Sequence, residues 1–159
     1  MIREWTLRPA NIADAEAMSA LVDSLLANWL VPDGHPQALA RMRQIHRPAQ
    51  IARQINDGFR YWLAETADQS LLGFVALKPP AHLFNLYVQE PWHGRGVGSR
   101  LWQQLQQAVR ANGGDCITVN ASERAIPIYR HWGFVETEPM QCHDGLRFQP
   151  MCWRAQITD

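Results

Sequence analysis

The residues best equipped for chemistry lie in one run, Leu86 to Trp102, which reads LYVQEPWHGRGVGSRLW. It passes from an apolar strand pattern through a proline turn to glycines at 94, 96 and 98, then directly into an amphipathic helical pattern. Glycine reaches backbone conformations closed to other residues and lets the chain approach a ligand closely. A helix start carries unpaired N–H groups and the positive end of the dipole, so it favours an anion such as a pyrophosphate. Arg95 and Arg100 add cationic donors, with no acid between Glu90 and Asp115 to neutralise them. Together these residues predict a phosphate cradle. It is not a P-loop, which needs a lysine beside its glycines, because Lys78 is the only lysine in the chain. Nor is it the dinucleotide fingerprint, since the spacing is G-x-G-x-G rather than G-x-G-x-x-G.

Such a loop needs rigid elements on both sides. Glu4 to Arg8 reads as a short strand that Pro9 ends. Asn11 then caps a helix with Asp14 in its first turn, and Ala17, Leu21, Leu25 and Trp29 form an apolar stripe. VPDGHP breaks that helix, and a second, arginine-rich one is predicted over Pro36 to Asn56. FRYWLAET, SLLGFVALK and AHLFNLYV read as three strands, with a turn around Ala67 to Gln69 and a proline pair between the last two. Val97, Leu101, Leu105 and Val109 mark a helix that Gly113 and Gly114 end. CITVN is a strand, SERAIPIYRHW a short helix, GFVET a strand, and GLRFQPMCWRA a closing hairpin or edge. Within the short helix Pro127 falls past the first turn and removes a hydrogen bond there. The two later β-α-β crossovers require parallel or mixed pairing, so an α/β fold with a mixed sheet and helices on both faces is predicted.

Composition narrows the class. A chain of 159 residues is one domain's worth. Lys and Arg number 15 against 15 acids, so the global basic field of a nucleic-acid binder is missing. The longest apolar run, Leu71 to Leu77, is far too short to span a membrane, and MIREWTLRPA carries no signal-peptide core. Three cysteines without metal-type spacing fit a reduced, cytoplasmic setting, and six histidines without paired ligand spacing predict no metal. Arg41, Arg43, Arg47, Arg53 and Arg60 face a single acid, Asp57, which reads either as a solvated helix face or as a site for an acidic acceptor.

His93-Gly94-Arg95-Gly96-Val97-Gly98 resembles the Q/R-x-x-G-x-G/A acetyl-CoA motif of the GNAT N-acetyltransferase superfamily, with His93 in place of glutamine or arginine. Downstream, Ser122 through Tyr129 and then Gly133-Phe134 resemble the family's N-x-x-A-x-x-x-Y-x-x-x-G-F segment, with Ser122 at the asparagine position. The resemblance is strongest over about residues 60–135. It implies a single GNAT-like domain with a mixed, mostly antiparallel sheet of six to seven strands. It implies acetyl-CoA as co-substrate and a primary amine of a small molecule, peptide or protein as acceptor, and a homodimer is compatible with it. Cofactor contacts carry over to Leu86, Tyr87, Val88, His93, Gly94, Arg95, Gly96, Val97, Gly98, Ser99 and Arg100, with the Val88 N–H as the donor to the acetyl oxygen. Tyr129 stands at the general-acid position, where a phenol near pKa 10 can protonate a departing thiolate. His82 is placed as the base, on one strand face with Phe84, Leu86 and Val88, with Glu65 or a water chain as alternatives. Two roles are open to Ser122, a hydroxyl cap on the short helix or a contact to the cofactor arm. Two other readings remain: a non-catalytic acyl-CoA sensor on the same fold, and a nucleotide-binding regulatory module.

Overall fold

The computed structural model describes residues 4–156. Strand β1 (Trp5–Pro9) ends on a proline that is tolerated because β1 lies at the sheet edge. Asn11 Oδ1 then accepts from the Ala13 N–H at 2.9 Å, and the Asp14 carboxylate accepts from the Asn11 N–H at 2.8 Å. This cap starts helix α1 (Ala15–Leu25). The buried stripe of α1 is Ala15, Met18, Leu21, Val22 and Leu25, while Ala17 is exposed. A strict four-residue repeat drifts by about 40° per step around a helix, so the alternating three-and-four spacing is the one that faces the core. A π turn over Leu26–Leu30 follows.

The single helix expected from Pro36 to Asn56 is two, α2 (Pro36–Ile45) and α3 (Pro48–Asn56). Pro48 explains the break, because its ring excludes the preceding residue from helical conformation, and Arg47 is extended at φ −62°, ψ 147°.

Strands β2 (Arg60–Thr66), β3 (Leu71–Lys78) and β4 (His82–Val88) form the expected antiparallel meander. Helix α4 (Val97–Ala111) buries Val97, Leu101, Trp102, Leu105, Ala108 and Val109 and leads to β5 (Cys116–Ser122). A 3-10 turn over Glu123–Ala125 precedes α5 (Ile126–His131). Pro127 therefore lies in the first turn of α5, where no intrahelical hydrogen bond is lost, and not past it. Strands β6 (Val135–Glu136), β7 (Gln141–His143) and β8 (Leu146–Arg154) complete one eight-stranded sheet. Its order is β1-β2-β3-β4-β5-β8-β6, with β7 paired to β8 off that path. Because β8 inserts between β5 and β6 and is antiparallel to both, β4 and β5 are the only strands among the described residues that pair in parallel.

Apolar residues fill both sheet faces. Helices α4 and α5 cover one, over Trp62, Val75, Leu83, Ile117 and Met151; α1, α2 and α3 cover the other, over Leu63, Phe74 and Ala76. Among the described residues no helix is long and apolar enough to cross a membrane.

Candidate active site

The parallel pairing of β4 with β5 is short. Strands β4 and β5 are in register only at His82–Thr118 and Leu83–Val119, and beyond that they part. On the other side of β4, the Gln89 N–H donates to the Leu72 carbonyl at 2.8 Å. In an antiparallel ladder hydrogen-bonded pairs alternate with non-bonded ones, so Val88 and Leu86 turn their N–H and C=O away from β3, into the opening. Gly73 sits opposite Val88, where a Cβ would stand 2.6 Å from the Tyr87 carbonyl oxygen. Only glycine allows the two strands that approach.

The expected alternation of His82, Phe84, Leu86 and Val88 on one face does not hold. The register slips at Phe84, from Ala76–Asn85 to Leu77–Leu83, and the extra residue reverses the side chains that follow. Leu83, Leu86 and Val88 pack into the α4 core, whereas Phe84 and Tyr87 pack into the other.

The glycine loop closes the wide end of this opening. Gly94 and Gly96 have φ of +76° and +86°, and neither has an atom within 4 Å of where a Cβ would be. Gly96 is the N-cap of α4 and offers no side chain to it, so the N–H groups of Val97, Gly98 and Ser99 have neither an intrahelical partner nor a side-chain cap. Arg95 lies over the Trp92 ring at 4.9 Å and Arg100 over the Trp5 ring at 5.6 Å. His93 folds back instead of reaching outward. Its Nε2 is 2.6 Å from the Val88 carbonyl oxygen, and its ring stands edge-on to Trp29 at 4.5 Å. Trp29 in turn carries the Arg124 guanidinium on its face at 4.7 Å, and its Nε1 is buried without a hydrogen-bond partner.

Tyr129 is buried on α5 with its ring edge-on to Trp132 and Phe134. Burial pushes its phenol above the usual value, so it stays protonated at neutral pH. Ser122 ends β5 in extended backbone and makes no side-chain cap to the turn that follows, so the cap role is not realised. His82 is half-buried, with Nδ1 2.7 Å from Thr118 Oγ1, at the narrow end of the opening. Burial and then the Lys78 charge pull its pKa below the ordinary imidazole value, keeping the ring neutral. Glu65 is already committed, since Arg8 Nε donates to it at 2.7 Å while the same guanidinium grips Asp14 at 2.8 Å.

A polar cluster on the α2 side has no counterpart in the sequence reading. His46, at the end of α2, is 3% exposed. Its Nδ1 is 2.8 Å from the Met42 carbonyl oxygen, and its Nε2 is 3.2 Å from Tyr87 Oη and 3.4 Å from Asn85 Oδ1. Asn85 is 6% exposed and its Nδ2 has no partner. A lone histidine inside an arginine-rich helical stretch gives no hint of this, because only the split before Pro48 and the slip at Phe84 bring the residues together.

The model of an acetyltransferase (GNAT) domain matches residues 30–155. None of the curated proteins compared with the chain is similar enough in sequence to count as a match. Among solved structures, a GCN5-related N-acetyltransferase from Rhodopseudomonas palustris is 26% identical and superposes with a TM-score of 0.83, covering 97% of this chain and 98% of that one. The PaiA N-acetyltransferase from Thermoplasma acidophilum, solved with coenzyme A, is 18% identical with a TM-score of 0.79, covering 94% and 98%. Apo YjaB from Escherichia coli is 16% identical with a TM-score of 0.74, covering 98% and 100%. With its cleft, its glycine loop and a family match over most of its length, the chain belongs to the GNAT acetyltransferase family.

Proposed function

We propose that the protein transfers the acetyl group of acetyl-CoA to a primary amine of a small molecule, peptide or protein, by direct attack with both substrates bound. The observation that carries this reading is the adjoining of two backbone features: the outward N–H and C=O groups of Leu86 and Val88, and the uncapped N–H groups at the start of α4. An extended amide-bearing arm can pair with the first as an added strand, while the second suits a diphosphate. That PaiA was solved with coenzyme A supports the same use of this fold.

The residues divide the work. Val97, Gly98 and Ser99 offer N–H groups to the diphosphate, and Arg95 and Arg100 add charge. The Val88 N–H is aimed where negative charge develops on the acetyl oxygen. His93 must leave the Val88 carbonyl before that edge can be fully paired. Tyr129 donates a proton to the departing thiolate, since burial keeps its phenol protonated at neutral pH. An alkylamine near pKa 10.4 must first lose a proton, and neutral His82 is the base candidate beside the cleft's narrow end.

The test is thiol release from acetyl-CoA against a panel of primary amines, with wild type and Tyr129→Phe. Wild type should turn over at least one amine. Tyr129→Phe keeps the buried ring contacts but should lose about 10²-fold in kcat. Acetyl-CoA binding with no turnover of any amine would favour a sensor, and full activity in Tyr129→Phe would remove the acid assignment.

A further inference from the structure

Acyl transfer leaves one proton over. The amine enters as R–NH3⁺; a C–N bond forms and the C–S bond breaks. Of the two protons the nitrogen sheds, one replaces the proton that Tyr129 gives the thiolate and the other must leave. We propose that Tyr87 and His46, rather than His82 at the other end of β4, take up that proton and carry it out of the site, with Asn85 holding the charged form, towards the cleft between α1, α2 and α3. The proposal rests on the acyl-transfer reading above.

The hydrogen bonds define the states. The Met42 carbonyl can only accept, so His46 Nδ1 carries a hydrogen and donates to it at 2.8 Å. Nε2 is then a lone pair, and the Tyr87 hydroxyl at 3.2 Å donates to it. Asn85 Oδ1, at 3.4 Å from the same nitrogen, is an acceptor facing an acceptor while the ring is neutral. Once Nε2 gains a proton the mismatch disappears. The imidazolium N–H points at Asn85 Oδ1 and Tyr87 Oη, and the Tyr87 hydroxyl has Asn85 Oδ1 as its alternative acceptor, also at 3.4 Å. In the charged state both ring N–H groups, the Tyr87 hydroxyl and Asn85 Oδ1 are all paired, whereas the neutral state leaves Asn85 Oδ1 facing a lone pair.

The location fits. Tyr87 belongs to β4 between Leu86 and Val88, the two residues that open towards β5. On the far side His46 lines a cleft of about 320 Å3 together with Ser19, Asp23, Met42, Arg43 and Arg47. The charged groups around His46 are Asp23 from α1, Arg43 from α2 and Arg47 from the α2–α3 link, with the phenol of Tyr87 from β4 behind it. Asp23 and Arg43 oppose one another at 3.9 Å, leaving Arg47 to favour release. The proton gained at Nε2 is matched by one lost from Nδ1 to cleft water as that N–H leaves the Met42 carbonyl, and the ring then turns to restore the starting tautomer. Burial pulls the His46 pKa below the ordinary imidazole value, which also favours release.

The experiment compares wild type with His46→Ala, His46→Gln and Tyr87→Phe on an amine the wild type acetylates, across pH and with added imidazole. His46→Ala should lose about 10²-fold in kcat, with the KM for acetyl-CoA unchanged within about twofold. Imidazole in the buffer should restore it in a saturating manner. His46→Gln keeps a polar side chain that cannot titrate, and Tyr87→Phe cuts the path, so both should stay low. Wild-type kcat in His46→Gln would overturn the proposal by showing that hydrogen bonding alone suffices. So would a loss in folded His46→Ala that imidazole leaves untouched, and should that variant not fold, His46→Gln decides. A wild type that binds acetyl-CoA but acetylates nothing would instead sink the acyl-transfer reading, before any variant is measured.

Discussion

Gly73→Ala is the substitution that tests whether the outward edge of β4 is set by backbone contact. A Cβ at position 73 would stand 2.6 Å from the Tyr87 carbonyl oxygen and 3.2 Å from both Val88 Cα and Val88 Cγ2. Ordinary contact begins at 3.4 Å, so β3 and β4 must open by about 0.8 Å, and two of the three opposing atoms are backbone. Two effects compete. Alanine restricts the unfolded chain, which stabilises by about 0.4–1 kcal/mol where the backbone tolerates it, and Gly73 is not among the positive-φ glycines. Overpacking costs about 1–3 kcal/mol, so the clash wins by about 1–2 kcal/mol. In a domain of this size each kcal/mol lowers Tm by about 2–4 °C. Thermal unfolding should therefore show a drop of about 2–8 °C. The same displacement moves Val88, and misplacement by about 1 Å can cost about 10²-fold in rate. The kcat/KM for acetyl-CoA should thus fall further than the stability loss alone explains. A variant that melts within about 1 °C of wild type with unchanged kcat/KM would show that β4 is positioned by something else.

The glycine loop offers a paired test. Gly96→Ala meets no atom but must hold φ near +86°, which costs about 1–2 kcal/mol in calorimetric or urea unfolding. Gly98→Ala, inside α4, meets only side-chain atoms at ordinary distances, Val88 Cγ2 at 3.7 Å and Trp132 Cη2 at 4.0 Å, and should stabilise by about 0.4–1 kcal/mol. A raised KM for acetyl-CoA in Gly98→Ala would then report close approach of the ligand; unchanged KM would place the ligand elsewhere. The Arg8 ion pairs predict an acid limb in stability. Arg8 holds the Asp14 carboxyl below its ordinary 3.8, so the folded state gains stability above the unfolded pKa and loses it as pH falls through the depressed one. Urea unfolding between about pH 2 and 6 should show a shallower acid limb for Arg8→Ala, the effect being modest because Arg8 is 38% exposed.

What the sequence discloses and what it hides divide along a physical line. Elements whose punctuation is local were legible: the Asn11 cap, the three-strand meander, the glycines that open and close α4. The glycine loop was legible for the same reason, since strand, glycines and helix follow one another in the chain. The break before Pro48 is also written there, in the proline's constraint on Arg47, although the stretch from Pro36 to Asn56 reads as one helix. The slip at Phe84 has no local mark. Two residues against one is settled by how β3 and β4 meet, and it reverses every side chain from Asn85 onward. The His46 cluster depends on both of these events, which is why spacing along the chain could not assemble it.

The way the site is built also explains why its two halves place different demands on sequence. On the proposed reading, recognition of a diphosphate and an extended arm falls to backbone groups: the outward edge at Leu86 and Val88 and the first turn of α4. These ask only for glycine where φ is positive or where strands must touch, at Gly94, Gly96 and Gly73. Backbone cannot tell one amine from another or take up a proton, so those duties fall to side chains around the opening. There the chain has side chains that interlock: His93 on the Val88 carbonyl, Trp29 between His93 and Arg124, and His46 against Tyr87. On the same reading the first two meet at the edge the cofactor would pair with, and the third lies on the proposed path of the amine's proton. A swap of α1 through α3 from a relative should therefore change the acceptor and the pH profile while leaving acetyl-CoA binding in place. Loss of acetyl-CoA binding in such a chimaera that still folds would show that the two halves are not separable in this way.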